Sequence, residues 1–376
     1  MFSLTNKVIY ILSPNHWGSM HISKHHYAKT LVKKGNVVFF ISPPSLKSNF
    51  FEKIEVEPNL FVINYYPLFR GKSILPKFLF NLLIKLQIVL LKYKIGVKPD
   101  ILWSFTTTLY FNLKWFKANL TIFHPMDQLN TDEAKEIPKN CDIVFSCSDF
   151  ILNEMSNDVV KKIFISHGIA PSFSEHQFPK IKTTTKTQVG YVGNLFMKNL
   201  DRSVLKNLIK SNNDCEFHFF GATNPKESNI SAWVSQESMD FIEFLTSQMN
   251  VTCHGAVESN QLPEKIDKID IFLVCYKPDI ENIISNSHKV LEYLSTGKTV
   301  VSSFIQEYKN SDLIVMDTEN SNANYLTNFM QVKNNLATFN SVVNQEKRQQ
   351  HARQNTYFEK IREIEKSITL LNSKTI

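Results

Sequence analysis

The feature that most constrains this chain is a twofold series of short apolar runs alternating with helix-like segments, broken once by a polar stretch. Unbroken apolar runs, each followed by a helical period, are the pattern of parallel sheets covered by helices. In the first half the runs are Val8–Leu12, Val37–Ile41, Leu60–Tyr65, Asp100–Trp103, Leu120–Phe123 and Asp142–Ser146. Helical periods fall near Ser23–Lys34, closed by Gly35, and over Lys77–Lys94. A second series opens at Gln188–Gly193 and continues through Glu216–Phe220, Asn250–Cys253, Ile271–Cys275 and Thr299–Ser303. Its helices are expected near Ser203–Ser211 and Ser287–Ser295, with a long charged helix over Glu346–Leu371. Between the two series, Pro179–Thr187 is rich in Lys and Thr, has no apolar period and reads as a linker. A length of 376 residues agrees with two α/β domains.

Composition narrows the partners. Hydrophobic residues make up 43% and charged residues 20%, which fits a globular chain with sizeable cores. A net charge of +7 suits acidic partners such as nucleotides, anionic lipid headgroups or nucleic acid. The positive residues are spread rather than clustered with aromatics, so nucleic acid is not expected. Cys141, Cys147, Cys215, Cys253 and Cys275 form no C-x-x-C pair and no zinc-finger spacing, so no metal site is expected. Three of them lie in apolar, strand-like runs and read as buried thiols; a reducing compartment is the simpler inference, and a cytoplasmic location is expected. Met1–Lys7 is polar and the run Val8–Leu12 is too short for a leader, so none is expected. No stretch of about 18 uncharged apolar residues occurs, so no membrane span is expected.

The densest group of informative residues is Asn286–Val301, N-S-H-K-V-L-E-Y-L-S-T-G-K-T-V-V. Lys289 and Glu292 lie three residues apart, on one face near the start of one helix. Free backbone N–H groups and the positive dipole end suit a diphosphate there. A lysine adds charge, and a carboxylate one turn on can accept hydrogen bonds from a ribose. An ordinary exposed Lys–Glu pair has the same spacing, so spacing alone leaves both readings open. Gly297 is a natural helix stop before the next strand.

This segment resembles the donor-binding signature of GT-B glycosyltransferases, P-x-K-x-x-E-Y-L-A-x-G-K-P-V-V. Lys289, Glu292-Tyr293-Leu294, Gly297-Lys298 and Val300-Val301 match it, with His288 before the lysine. Other segments fall in the order of the same family. Val189–Leu195 resembles its glycine turn, Ile165–Ile169 its domain-junction segment, and Ala352–Tyr357 its C-terminal A-x-x-x-[ST]-W element. The resemblance covers most of the chain, densely in the second half.

It implies two Rossmann-like domains facing across a cleft. Residues 1–178 would bind the acceptor and 188–345 the nucleotide sugar, with 346–376 a helix crossing back to the first domain. It implies that Glu292 binds the nucleotide ribose and Lys289 faces the nucleotide, with Gly193, Asn194, Tyr276 and His288 on the donor side. It further implies transfer of a sugar from a UDP- or GDP-linked donor to a saccharide or lipid-linked saccharide, in cell-envelope or exopolysaccharide assembly. No metal or other cofactor is implied, and no D-x-D motif is present. Many retaining members carry an acid eight positions before the ribose-binding one, where this chain has Ile284. They also carry an Arg and a Lys after the glycine turn, where this chain has Asn194 and Lys198. These departures point to the branch with the xanthan glucuronosyltransferase and the capsule and teichuronic-acid enzymes. The alternatives are a nucleotide-sugar-binding protein without catalysis, which Ile284 favours, and a GT-B-type epimerase.

In the first half, the loop after Val8–Leu12 carries His16, Gly18 and His21. Loops at the carboxyl ends of parallel strands form the binding edge of such sheets, so these residues are candidate acceptor or phosphate contacts. Each histidine also reads as a satisfied loop residue, and His25 and His26 as packing. Asp127 follows the run Leu120–Phe123. Inverting transfer needs a base for the acceptor hydroxyl, and Asp127 is the candidate, with a helix cap the equal alternative. The helix over Lys77–Lys94 has a broad apolar face with lysines around it. It reads as a core helix, with peripheral contact at the inner face of the cell membrane left open for its outer edge.

Overall fold

A computed structural model describes the chain apart from residues 1, 19–20, 69–74, 157, 159–160, 180–184, 226–233, 279–287 and 374–376, and apart from the side chains at 288 and 372. It divides into two compact units, Met1–Ser166 with Tyr357–Ile376, and His167–Thr356.

The first unit is built on eight strands: β1 (Val8–Leu12), β2 (Val37–Ile41), β3 (Phe51–Glu57), β4 (Leu60–Tyr65), β5 (Ile101–Ser104), β6 (Leu120–Phe123), β7 (Ile143–Ser146) and β8 (Lys162–Phe164). Their order is β3-β4-β2-β1-β5-β6-β7-β8. All pairs are parallel except β3 with β4. The inner strands are buried nearly throughout, as their unbroken apolar runs require. β3 is an edge strand with charged residues in solvent, a device that blunts an open edge. The last helix, Tyr357–Ser373, also belongs here. Its Tyr357, Ile361, Ile364 and Ile368 join the core of Ile9, Ile11, Tyr27, Leu31 and Trp103. Glu365 accepts from the Leu4 backbone N–H and pairs with Lys34 at 3.0 Å.

The second unit has six parallel strands: β9 (Thr187–Val192), β10 (Cys215–Phe220), β11 (Val251–Gly255), β12 (Ile271–Val274), β13 (Thr299–Ser302) and β14 (Val315–Met316). Their order is β11-β10-β9-β12-β13-β14, which counted from β9 is the 3-2-1-4-5-6 order of a dinucleotide-binding sheet. Apolar cores cover both faces.

Three expectations differ from what is observed. The helix expected over Glu346–Leu371 is two helices, Val342–Arg353 and Tyr357–Ser373. Between them Asn355 O accepts from Ile169 N at 2.8 Å and Thr356 pairs with Ile169, so this backbone is bonded as strand rather than helix. The first unit ends at Ser166 rather than at residue 178, because Ile169, Ala170, Phe173 and Phe178 are buried in the core of the second. The linker expected at Pro179–Thr187 lies largely outside the described residues, and Thr187 already begins β9.

Candidate functional site

In the second unit the sheet grows outward in opposite directions from β9 and β12. Ligands of open α/β sheets bind beyond the carboxyl ends of the strands at such a switch point. Gly193 directly follows β9, Gly221 follows β10 and Tyr276 lies just past β12. The helix His288–Ser295 lies in the crossover from β12 to β13.

Two of the turns meet backbone to backbone. A Cβ on Gly221 would stand 1.9 Å from the Gly193 carbonyl oxygen. A Cβ on Gly193, whose φ is 154°, would stand 2.2 Å from Lys289 Nζ and 3.1 Å from the Tyr191 hydroxyl. At Gly221 a side chain would strike backbone, and at Gly193 the positive φ favours glycine. The structure therefore brings Gly193 and Lys289 together, although about a hundred residues separate them in sequence. Lys289 Nζ also lies 5.8 Å from the centroid of the Tyr191 ring, within cation–π range.

Tyr293 makes that meeting happen. Val290, Leu291, Tyr293 and Leu294 are buried, which seats the helix on the sheet. The Tyr293 ring stacks on Phe272 at 4.3 Å. Its hydroxyl accepts from Val192 N at 2.8 Å and donates to Val192 O at 3.2 Å. The helix is thus tied to the residue just before Gly193, which sets Lys289, one turn before Tyr293 on the same side, against the turn; Glu292 lies one turn on from Lys289. Tyr293→Phe leaves the buried Val192 N–H unpaired, a cost of about 1–3 kcal/mol. The melting temperature should fall by several degrees and nucleoside diphosphate affinity severalfold, read from melting curves and calorimetric titration. A variant matching wild type in both would show that the tie does not position the helix.

Part of the Glu292 surface meets solvent, yet burial pushes its carboxyl up to about 7, and the Lys289 ammonium opposes the rise. A carboxyl held there gains from ligand hydroxyls that donate to its ionised form.

Other residues hold the rim. The Asn194 side-chain oxygen accepts from Phe196 N at 2.9 Å and so shapes the turn after Gly193. The buried Arg202 guanidinium donates to Leu195 O at 3.0 Å and Met197 O at 2.8 Å, clamping the same loop. Tyr276 has its ring in the core, its N–H on Ser303 Oγ at 2.8 Å and its carbonyl on Asn322 Nδ2 at 2.7 Å. Asn322 also donates to Asp201 Oδ2 at 2.8 Å. Lys198 is exposed on the loop. The His288 side chain and Ile284 lie outside the described residues. A cavity of about 780 Å³ beside His176, Gln177, Glu346, Gln349 and Arg353 is a different place: Gly193, Lys289 and Glu292 do not line it.

In the first unit the switch point falls between β1 and β5. His16 and Gly18, both exposed, and His21 follow β1, and Asp127, also exposed, follows β6 at the same edge. The His16 carbonyl lies 3.3 Å from His25 Nε2. The His21 ring packs between Trp17 and His25, with centroids 5.1 and 5.4 Å away, and burial holds its pKa below the usual imidazole range. His25 is buried and pushed down to about 4 by burial, which fits packing. Asp127 caps no helix here, since Thr131 caps the next one, its hydroxyl accepting from Ala134 N at 3.1 Å. Instead Asp127 acts on Lys24, a buried lysine whose amine donates to Asn15 Oδ1. Burial pulls Lys24 down to about 8, and the Asp127 charge opposes the fall.

Sequence reasoning passed over Gly221, Arg202, Lys24 and the tie made by Tyr293. Gly221 had a signal, the same apolar-strand–glycine pattern as Gly193. The others depend on contacts distant in sequence or on burial.

No family model matches the chain, and no curated protein does. Among solved structures it is similar to sucrose-phosphate synthase from Thermosynechococcus elongatus, with a TM-score of 0.68 and 13% identity over 98% of this chain and 100% of that one. It is also similar to the catalytic domain of starch synthase IV from Arabidopsis thaliana, bound to ADP and acarbose, with a TM-score of 0.65 and 12% identity over 97% and 99% of the two chains. The HepE protein of Anabaena, in complex with UDP and glucose, gives 0.64 and 13% over 97% and 99%. The fold is that of the GT-B glycosyltransferases.

Proposed function

We propose that this chain is a glycosyltransferase that takes a sugar from a nucleoside diphosphate donor, UDP- or GDP-linked, and moves it to a saccharide or lipid-linked saccharide. The observation that carries the proposal is the placement of Lys289 on the Gly193 turn, at the switch point of a 3-2-1-4-5-6 sheet, with Glu292 one turn away. The solved structures with this fold that hold ADP or UDP support it.

In this reaction Glu292 takes the ribose hydroxyls and Lys289, with backbone N–H groups of the turn, takes the diphosphate. Asp127 removes the proton of the acceptor hydroxyl as its oxygen attacks the anomeric carbon. The bond from that carbon to the diphosphate oxygen breaks, and the leaving charge is met by Lys289 rather than by a metal. The branch with the xanthan glucuronosyltransferase, and a role in envelope polysaccharide assembly, fit the departures at Asn194 and Ile284.

A thermal-shift screen of the full chain against UDP, GDP, CMP and their sugars tests the proposal. A rise in melting temperature with a nucleoside diphosphate or its sugar is expected. No shift with any of them would overturn it.

A further inference from the structure

The helix Lys77–Ile95 has two apolar faces. Phe80, Ile84, Ile88, Leu91 and Ile95 are buried in the first unit. On the outer side Phe78, Leu82, Leu86, Val89 and Tyr93 follow one another at three- and four-residue intervals and are 75, 61, 48, 60 and 77% exposed. That spacing gathers them into one stripe. Scattered apolar residues on a surface need no explanation, but a continuous stripe over a helix of about 28 Å does.

The charges that the helix itself carries are of one sign. Lys77, Lys85, Lys94 and Lys98 are exposed along or just beyond the helix, and between Glu57 and Asp100 the sequence has no Asp or Glu. Lys85 Nζ lies 4.9 Å over the Trp115 ring, at the edge of the stripe. At the same end burial, and after it the charges of Lys117 and Lys98, pull the Lys92 amine below its usual range. A second copy of this face would set lysine against lysine with no carboxylate between them. A partner that offers hydrocarbon beneath a layer of negative charge satisfies both features at once. Among the described residues no helix is long and apolar enough to cross a membrane, so such a helix lies in the interface.

We propose that the outer face of Lys77–Ile95 docks the protein on an anionic lipid bilayer, with Phe78, Leu82, Leu86, Val89 and Tyr93 entering the acyl boundary and the lysines meeting the headgroups. This goes beyond the donor site and rests on different residues in the other unit. The triple variant Phe78→Ser, Leu82→Ser, Val89→Ser keeps the buried face intact.

The test is co-sedimentation of the full chain with phosphatidylglycerol–phosphatidylcholine vesicles and with phosphatidylcholine alone. Wild type should partition onto the anionic vesicles, lose binding as salt rises, and bind phosphatidylcholine at least about tenfold less. The triple variant should lose about tenfold or more while its melting curve and nucleotide titration match wild type. Lys85→Glu with Lys94→Glu, which removes no apolar group, should lose binding as well. Wild type that ignores anionic vesicles, or variants that bind as wild type does, would overturn the proposal. So would a wild-type dimer by light scattering that the triple variant converts to monomer, since the stripe would then serve a second copy. A negative vesicle result with normal nucleotide binding leaves the donor site standing.

Discussion

Asp127→Asn is expected to lower turnover by about 10²–10⁴-fold while donor affinity stays nearly unchanged. Asp127 is exposed at the carboxyl edge of the first sheet, after β6, so the change removes no buried contact. The cap of the following helix is Thr131, so the helix stands without Asp127. What the variant loses is a negative charge and a proton acceptor. Lys24 feels that loss directly, because Asp127 offsets the burial that pulls its amine toward neutrality. Gly193, Lys289 and Glu292, the residues proposed to hold the donor, belong to the other unit, which is why donor binding should persist. Steady-state kinetics with calorimetric titration of the donor nucleotide separate the two effects. Full activity in the variant would remove Asp127 from the reaction.

Glu292→Ala is expected to weaken nucleoside diphosphate binding by about 10- to 100-fold. Hydrogen bonds from ribose hydroxyls to a carboxylate are each worth roughly 1.5–3 kcal/mol, and about 1.4 kcal/mol is a factor of ten. The position of the Glu292 acid adds a signature that a merely structural residue would lack. Burial holds this carboxyl at about 7, and ribose hydroxyls donate to its ionised form. Binding must then release a proton near and below that pH. Wild-type affinity should rise by up to about tenfold from pH 6 to pH 8, and the dependence should vanish in Glu292→Ala. The folded state holds this proton more tightly than the unfolded chain does, so the same group costs stability as pH rises from about 4.5 through 7. Glu292→Gln should accordingly melt higher than wild type at pH 8 while binding nucleotide more weakly. Lys289→Ala should also bind more weakly, with the larger loss at low salt if its contact is with phosphate charge. Calorimetric titration of UDP- and GDP-linked sugars at pH 6 and 8, whose diphosphates carry no group titrating in that range, reads all of this. Equal affinity and equal pH dependence in wild type and Glu292→Ala would mean that the carboxylate does not meet the ligand.

The fold was legible where an element carries its own signal. β1, β2, β4 and β6 run over the residues their apolar runs indicate, because strands buried on both faces are filled mainly by apolar side chains, with Asn64 and Thr121 the exceptions. β3 went unread because half its residues face water, and β8 because three residues carry no period. The helices Gln236–Ser247 and Tyr325–Asn334 also went unread, although their buried residues stand at helical spacing. The break between Arg353 and Tyr357 was invisible because its cause, the bonding of Asn355 and Thr356 to Ile169, comes from far away in sequence.

The candidate site divides along the same line. Lys289 and Glu292 stood out through a local spacing, and Gly193 through its place after a strand. That Lys289 lies on the Gly193 turn, and that Tyr293 holds it there through Val192, are facts of the folded sheet. Asn194 was expected on the donor side, and its side-chain oxygen is spent on the Phe196 N–H, a use that sequence position does not announce.

A crystal structure of the full chain grown with UDP would show whether a nucleoside diphosphate sits at the end of β9 and β12. The diphosphate is expected against the Gly193 turn and Lys289 Nζ, and the ribose hydroxyls within hydrogen-bond distance of the Glu292 carboxylate. A nucleotide seated elsewhere, with Gly193, Lys289 and Glu292 untouched, would contradict this expectation.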